Sequence, residues 1–148
     1  MNLFEAEVSY DENDPAGYRG AGRRLTKELG AQQVAFNLFE LPPGEALCPY
    51  HYEPGQEEWI IVLSGRLVLR TPEGEQEMGP WDCYFCPDGE AGLHKTSNPF
   101  DELCRFVIWS NTSDPGVAIY PDSGKVGAWP PDKLFPLAAA VDYYAGEI

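Results

Sequence analysis

Turn residues arrive about every ten positions through the middle of this sequence, and they end each apolar run before it can become a long helix. Val34–Leu41 stops at Pro42-Pro43-Gly44, and Leu47–Glu53 stops at Pro54-Gly55. Glu57–Leu63 is a β-rich run closed by Ser64-Gly65. Arg66–Arg70 alternates charged and apolar residues before Pro72-Glu73-Gly74. Glu75–Met78, Asp82–Cys86, Leu93–Ser97 and Leu103–Ser110 continue the series, and Val117–Tyr120 adds one more. Short strands at this spacing predict an all-β sandwich or barrel. Only Lys133–Tyr144 has helical character, interrupted by Pro136. Residues 1–32 show no clear period and are expected to hold a short strand or turn.

The 148 residues are 43% hydrophobic and 13% aromatic, which supports one cored domain spanning 1–148 with its barrel at about 34–120. The formal net charge is −14. A surface this acidic repels phosphate backbones and anionic lipid, so the charge argues against nucleic acid and membrane partners. The start, Met1-Asn2-Leu3-Phe4-Glu5, lacks the basic and apolar parts of a secretory signal, and no run is long enough to span a bilayer. The expected location is cytoplasmic, with Cys48, Cys83, Cys86 and Cys104 reduced. Cys83-Tyr84-Phe85-Cys86 has a metal-like spacing, but on a strand its two thiols point to opposite faces.

The chain contains two histidines, His51 and His94. His51-Tyr52-Glu53 places an imidazole and a carboxylate at i and i+2, on one face of a strand. After the Pro54-Gly55 turn, Glu58 can return beside His51. His94 opens a later strand, directly after the Gly-rich turn 87–92.

His51-x-Glu53-x4-Glu58-x6-Gly65 resembles the first motif of the cupins, in which a His-x-His pair precedes Glu and then Gly. Gly79, Pro87-x-Gly89, His94 and Asn98 resemble the second cupin motif, in order. The resemblance spans about residues 34–110. It implies a double-stranded β-helix, the cupin jelly-roll barrel, with irregular N- and C-terminal extensions. It further implies one divalent metal ion inside the barrel, with His51, Glu58 and His94 as ligands and Glu53 where the second His of the family stands. The stretches Tyr120–Gly127 and Val141–Glu147 are similar to a subgroup of small cupins, and proteins of this size resemble known homodimers.

Glu53 leaves three readings open. As a fourth ligand it makes a shell of two imidazoles and two carboxylates, which favours Mn or Fe, with Zn or Ni also possible. If it stands back, His51, Glu58 and His94 form the two-His, one-carboxylate set of non-haem iron oxygenases. Without metal, Glu53 and Glu58 repel each other and one holds a proton, which makes both candidate catalytic acids or bases. The leading expectation is a metal-dependent enzyme acting on a small, oxygen-rich molecule, of dioxygenase or sugar isomerase type. The alternatives are a non-catalytic small-molecule-binding domain and a metal-free epimerase or lyase. Among the remaining residues, Trp59, Ile61 and Leu63 share a face expected to form inter-sheet core or a dimer surface. Tyr50 and Tyr52 point away from His51, Lys95 and Arg105 are read as solvated charge with an anionic substrate at the barrel mouth as the alternative, and Asn98 caps the turn at Pro99.

Overall fold

The structure is a computed structural model that describes residues 1–113 and 115–147. Among these, twelve strands and one short helix follow in chain order: β1 (Ser9–Tyr10), β2 (Ala21–Arg23), α1 (Leu25–Leu29), β3 (Val34–Leu41), β4 (Glu58–Ser64), β5 (Leu67–Thr71) and β6 (Gly74–Met78). Then come β7 (Cys83–Cys86), β8 (Lys95–Ser97), β9 (Cys104–Asn111), β10 (Gly116–Tyr120), β11 (Lys125–Trp129) and β12 (Lys133–Pro136). A six-stranded sheet has the order β1-β2-β3-β9-β4-β7. Two three-stranded sheets, β6-β5-β8 and β10-β11-β12, complete the fold. Every named pairing is antiparallel. This is the all-β fold expected from the spacing of the turns, in the jelly-roll arrangement that the cupin resemblance implies.

The segment expected to be a strand over Leu47–Glu53 pairs only through single bridges, Ala46↔Ser97, His51↔His94 and Tyr52↔Ile119. Those bridges tie it to β8 on one side and β10 on the other, so it joins the two small sheets. The reason is local: Pro49 supplies no amide donor, so a continuous ladder cannot run through the segment.

Side-chain alternation sorts the apolar residues into two clusters. Leu41, Ile60, Val62, Leu67, Leu69 and Phe106 are fully buried between the sheets. Each contributes roughly 1.5–3 kcal/mol of transfer free energy. On the other face of the large sheet, Leu38, Leu63 and Val107 are covered by Ala6 and Leu25 from the N-terminal region. The face carrying Trp59, Ile61 and Leu63 is therefore the outer one, not the inter-sheet core. Glu58, Ile60 and Val62 point inward, which aims Glu58 at the barrel interior.

Three further expectations change. Lys133–Tyr144 is not helical: β12 occupies Lys133–Pro136 and a 3₁₀ turn covers Leu137–Ala139. Leu134 pairs with Gly127 and Phe135 with Val126, so the edge of β11 sets the conformation, and Pro136 cannot donate in a helix interior. Arg105 is not solvated. Its guanidinium donates to the carbonyls of Phe4 (2.8 Å) and Ala6 and pairs with Glu40 at 3.4 Å, fastening the N-terminal segment to the sheet. The region 1–32 holds a helix, α1, as well as two short strands. Asn98 does more than cap its turn. It is buried, donates to the carbonyls of Leu41 and Glu102, both at 2.7 Å, and accepts from the Phe100 amide at 3.0 Å. Cys83 is exposed and Cys86 buried, the opposite faces expected of a strand. Among the described residues, no helix is long and apolar enough to cross a membrane.

Gly65 closes β4 at φ +70°, and a Cβ there would collide with the Leu103 carbonyl and the Cys104 Cα. Gly55 sits at φ +82° with open space around it. Gly55→Ala should cost only the left-handed backbone penalty, about 1–2 kcal/mol. Gly65→Ala must also displace backbone and should cost about 2–4 kcal/mol. Urea unfolding of the two variants checks the difference, and equal losses would contradict the close approach.

Candidate metal centre

His51 and His94 lie 43 residues apart in the chain and are direct cross-strand partners. They exchange both backbone hydrogen bonds, His51 N to His94 O at 3.1 Å and His94 N to His51 O at 2.9 Å. Side chains of such a pair leave the sheet on the same side, and the two rings stand with centroids 4.7 Å apart. Both are buried. Gly92 makes the approach of His94 possible, since a Cβ on it would strike the Pro87 carbonyl.

Each imidazole is oriented by the backbone just before it. His51 Nδ1 donates to the Pro49 carbonyl at 3.0 Å and His94 Nδ1 to the Gly92 carbonyl at 2.9 Å. A proton on Nδ1 leaves the Nε2 lone pair free, the tautomer that a metal-binding imidazole needs. Burial lowers the pKa of His51 to about 4, with the His94 charge adding to the effect, and burial lowers His94 as well. Both rings are neutral at pH 7.

Glu58 enters from β4, opposite Ser110 on β9 and Cys86 on β7. Its Oε2 stands 3.2 Å from His94 Nε2. Among the described residues, His51, Glu58 and His94 each offer one ligand atom, and these atoms all lie within 4.8 Å of one another. Two neutral nitrogen lone pairs and one carboxylate converging in a buried pocket are a donor set suited to a divalent cation. Burial raises the Glu58 carboxyl to about 7. In the protein as it stands, a protonated Glu58 can donate to His94 Nε2.

Glu53 lies beside these three and outside the set of converging atoms. Its pKa is raised to about 7, first by burial and then by the Glu58 charge, with His94 opposing. Sequence reasoning missed two neighbours. Tyr120 lays its ring over His51, centroids 5.7 Å apart and 19° from parallel. Cys48 Sγ lies 3.6 Å from His51 Nδ1, and burial pushes its thiol up to about 12. Tyr120 was legible only as the end of a strand; the Tyr52↔Ile119 bridge that carries it to the site is a long-range register. Lys95 and Tyr50 stay away from the centre. Lys95 Nζ lies 3.5 Å from the Tyr18 hydroxyl, and Tyr50 is buried beneath the Arg70 guanidinium.

The two raised carboxyls fix a pH dependence for the metal-free protein. Their folded-state pKa values, about 7, exceed that of an unfolded glutamate, so folding favours their protonated forms. That stability is fully present below about pH 4.5 and is lost as pH rises through about 7. In chelator, urea unfolding should therefore show stability falling across this window. Glu53→Gln should flatten the fall, and an unchanged slope in that variant would show that Glu53 does not titrate there.

The Cupin_2 model, described as a cupin domain, matches residues 37–110, half of the chain and both histidines. No curated relative matches the sequence. A sugar phosphate isomerase of the cupin superfamily from Silicibacter pomeroyi has the same fold, with TM-score 0.81 at 24% identity over 97% of this chain and 96% of that one. A proposed sugar phosphate isomerase from Acidithiobacillus ferrooxidans gives 0.81 at 21% over 95% and 91%. The polyketide cyclase RemF from Streptomyces resistomycificus gives 0.63 at 25% over 78% and 81%. Paired histidines facing a glutamate inside a jelly roll, and a family model that covers that barrel, place this chain in the cupin family.

Proposed function

We propose that this chain is a metal-dependent isomerase of small hydroxy-carbonyl compounds, with His51, Glu58 and His94 as metal ligands and Glu53 as the proton carrier. The convergence of three ligand atoms within 4.8 Å supports the metal. The hardness of the carboxylate favours Mn or Fe over Zn or Ni. When bound, such an ion polarises the carbonyl and neighbouring hydroxyl oxygens of a substrate.

The remaining chemistry falls to the protein. Burial, the first cause of the raised Glu53 carboxyl in the metal-free protein, makes it a stronger base than a solvated carboxylate, as a group that both accepts and returns a proton requires. Glu53 takes the proton from the carbon bearing the hydroxyl. The C–H electron pair becomes the carbon–carbon double bond of an enediolate, and the hydroxyl proton passes to the former carbonyl oxygen. Glu53 then returns its proton to the neighbouring carbon as the second carbonyl forms, so no oxidant or reductant is needed. Tyr120 and the His51–His94 pair wall the site on one side and limit water at the reacting carbons. The names of the two structural neighbours with TM-score 0.81 accord with this chemistry.

The two-His, one-carboxylate set also suits oxygen chemistry, and the two readings differ in what is consumed. Protein grown with Mn or Fe should carry about one equivalent of metal, and His51→Ala or His94→Ala should lose most of it. Retention in both variants would mean that other residues bind it. In D₂O with a panel of hydroxy-ketones, ketoses and their phosphates, the metal-loaded protein should place deuterium on the carbon next to the carbonyl, as read by NMR. Glu53→Gln should keep its metal and slow exchange about 10²–10⁴-fold, the usual worth of a general base. Oxygen uptake without exchange would replace isomerisation by oxygenation, and binding with neither would make the protein a small-molecule receptor.

A further inference from the structure

Two parts of the molecule lie outside the metal centre, and their chemistries match. The first is a groove of about 910 Å³ on the inward side of β2 and β3. Ala21, Ala35, Phe39 and Leu47 give it an apolar lining. Arg23, Arg24 and Lys27 stand around it against Asp11 and Asp14. Three of the chain's ten basic residues stand here with two of its 24 acidic ones, so the groove lacks the acidic excess of the chain as a whole. Glu28 holds Arg23 at 2.8 Å. Among the described residues, Arg24 and Lys27 have no ion-pair partner.

The second is the segment 141–147. Val141 is 78% exposed, Tyr143 88% and Tyr144 69%. Asp142 and Glu147 flank the tyrosines. Among the described residues its backbone hydrogen bonds are internal, Ala145 N to Asp142 O at 2.9 Å and Glu147 N to Tyr144 O at 3.2 Å, and the two tyrosine rings meet edge-on. Single exposed apolar residues are ordinary, but three within four positions beside acidic residues are not.

We propose that the groove between β2, α1 and β3 is the docking site for residues 141–147 of a second copy of this chain, in a reciprocal exchange. Val141 and the tyrosine rings lie on the apolar lining, and Asp142 and Glu147 face Arg24 and Lys27. None of the groove's lining residues comes from beyond Leu47, so the chain's own tail does not reach it in this structure. Two-fold exchange makes the contact self-complementary and closed. With about 150–250 Å² per buried aromatic side chain and matching groove walls on both copies, it reaches the roughly 1,200–2,000 Å² of a specific interface.

Sedimentation equilibrium of the full chain tests this. The wild type should be dimeric. Arg24→Glu/Lys27→Glu, Asp142→Lys/Glu147→Lys and Tyr143→Ser/Tyr144→Ser should each raise the dimer dissociation constant at least about tenfold. The tail charge variant is the discriminating one, because it lowers the net negative charge: general repulsion between copies predicts tighter association, and docking predicts weaker. Combining all four charge reversals should restore the constant to within about threefold of wild type. A monomeric wild type, variants that dimerise like wild type, or a combined variant no better than its parents would each overturn the proposal. Circular dichroism verifies folding, and the fully exposed tail variants carry the test if the groove variant misfolds.

Discussion

The pair of backbone hydrogen bonds between His51 and His94 is the constraint on which the centre rests. No side-chain attraction brings the two rings together. Both are pushed toward neutrality by burial, and two protonated imidazoles at 4.7 Å would repel. The backbone holds them because a single antiparallel bridge with two exchanged bonds fixes both position and facing. The carbonyls of Pro49 and Gly92, each two residues upstream of its histidine, then fix the rotation of the rings. A donor set assembled this way is in place before any ion arrives, which spares the binding step most of its ordering cost.

Glu58 reaches the same point from the opposite sheet through the simplest rule of strand geometry. With Ile60 and Val62 committed to the core, the residue two positions before Ile60 must also point inward. A shift of register by one residue would send Glu58 to the outside and bring Trp59 in. The core of β4 and the chemistry of the site are thus the same specification, and the large sheet cannot slip without dismantling the centre. The outer face answers to a different partner: Leu38, Leu63 and Val107 are sealed by the N-terminal segment, which Arg105 fastens down.

Much of this was legible from residues alone, for identifiable reasons. Turn residues announced the strands from Val34 to Tyr120, and the histidines stood beside turns, where a chain can bring distant strands into register. What escaped had no local signature. The helix α1 spans five residues, too few to show a period, and begins at Arg24 without a capping side chain. Lys133–Tyr144 has helical character in sequence, yet pairing of Lys133–Pro136 with β11 overrides that preference. Tyr120 gave no sign of its place over His51, since that depends on a bridge between Tyr52 and Ile119 across the barrel.

Glu53, at the position where the family usually has a second histidine, changes the electrostatics more than the shape. An imidazole there would be neutral once buried and would place no demand on its surroundings. A carboxylate beside Glu58 puts a second negative charge in an interior that hydrates neither well. The pocket accommodates that charge only with a compensating cation or a proton, and the raised carboxyls show which way it turns when no cation is provided. Proton and metal therefore compete for the same charge balance. A divalent ion held by His51, Glu58 and His94 would draw Glu53 back toward its ordinary acidity, so the charge on Glu53 near neutral pH would depend on how much of that ion's charge Glu58 had already absorbed.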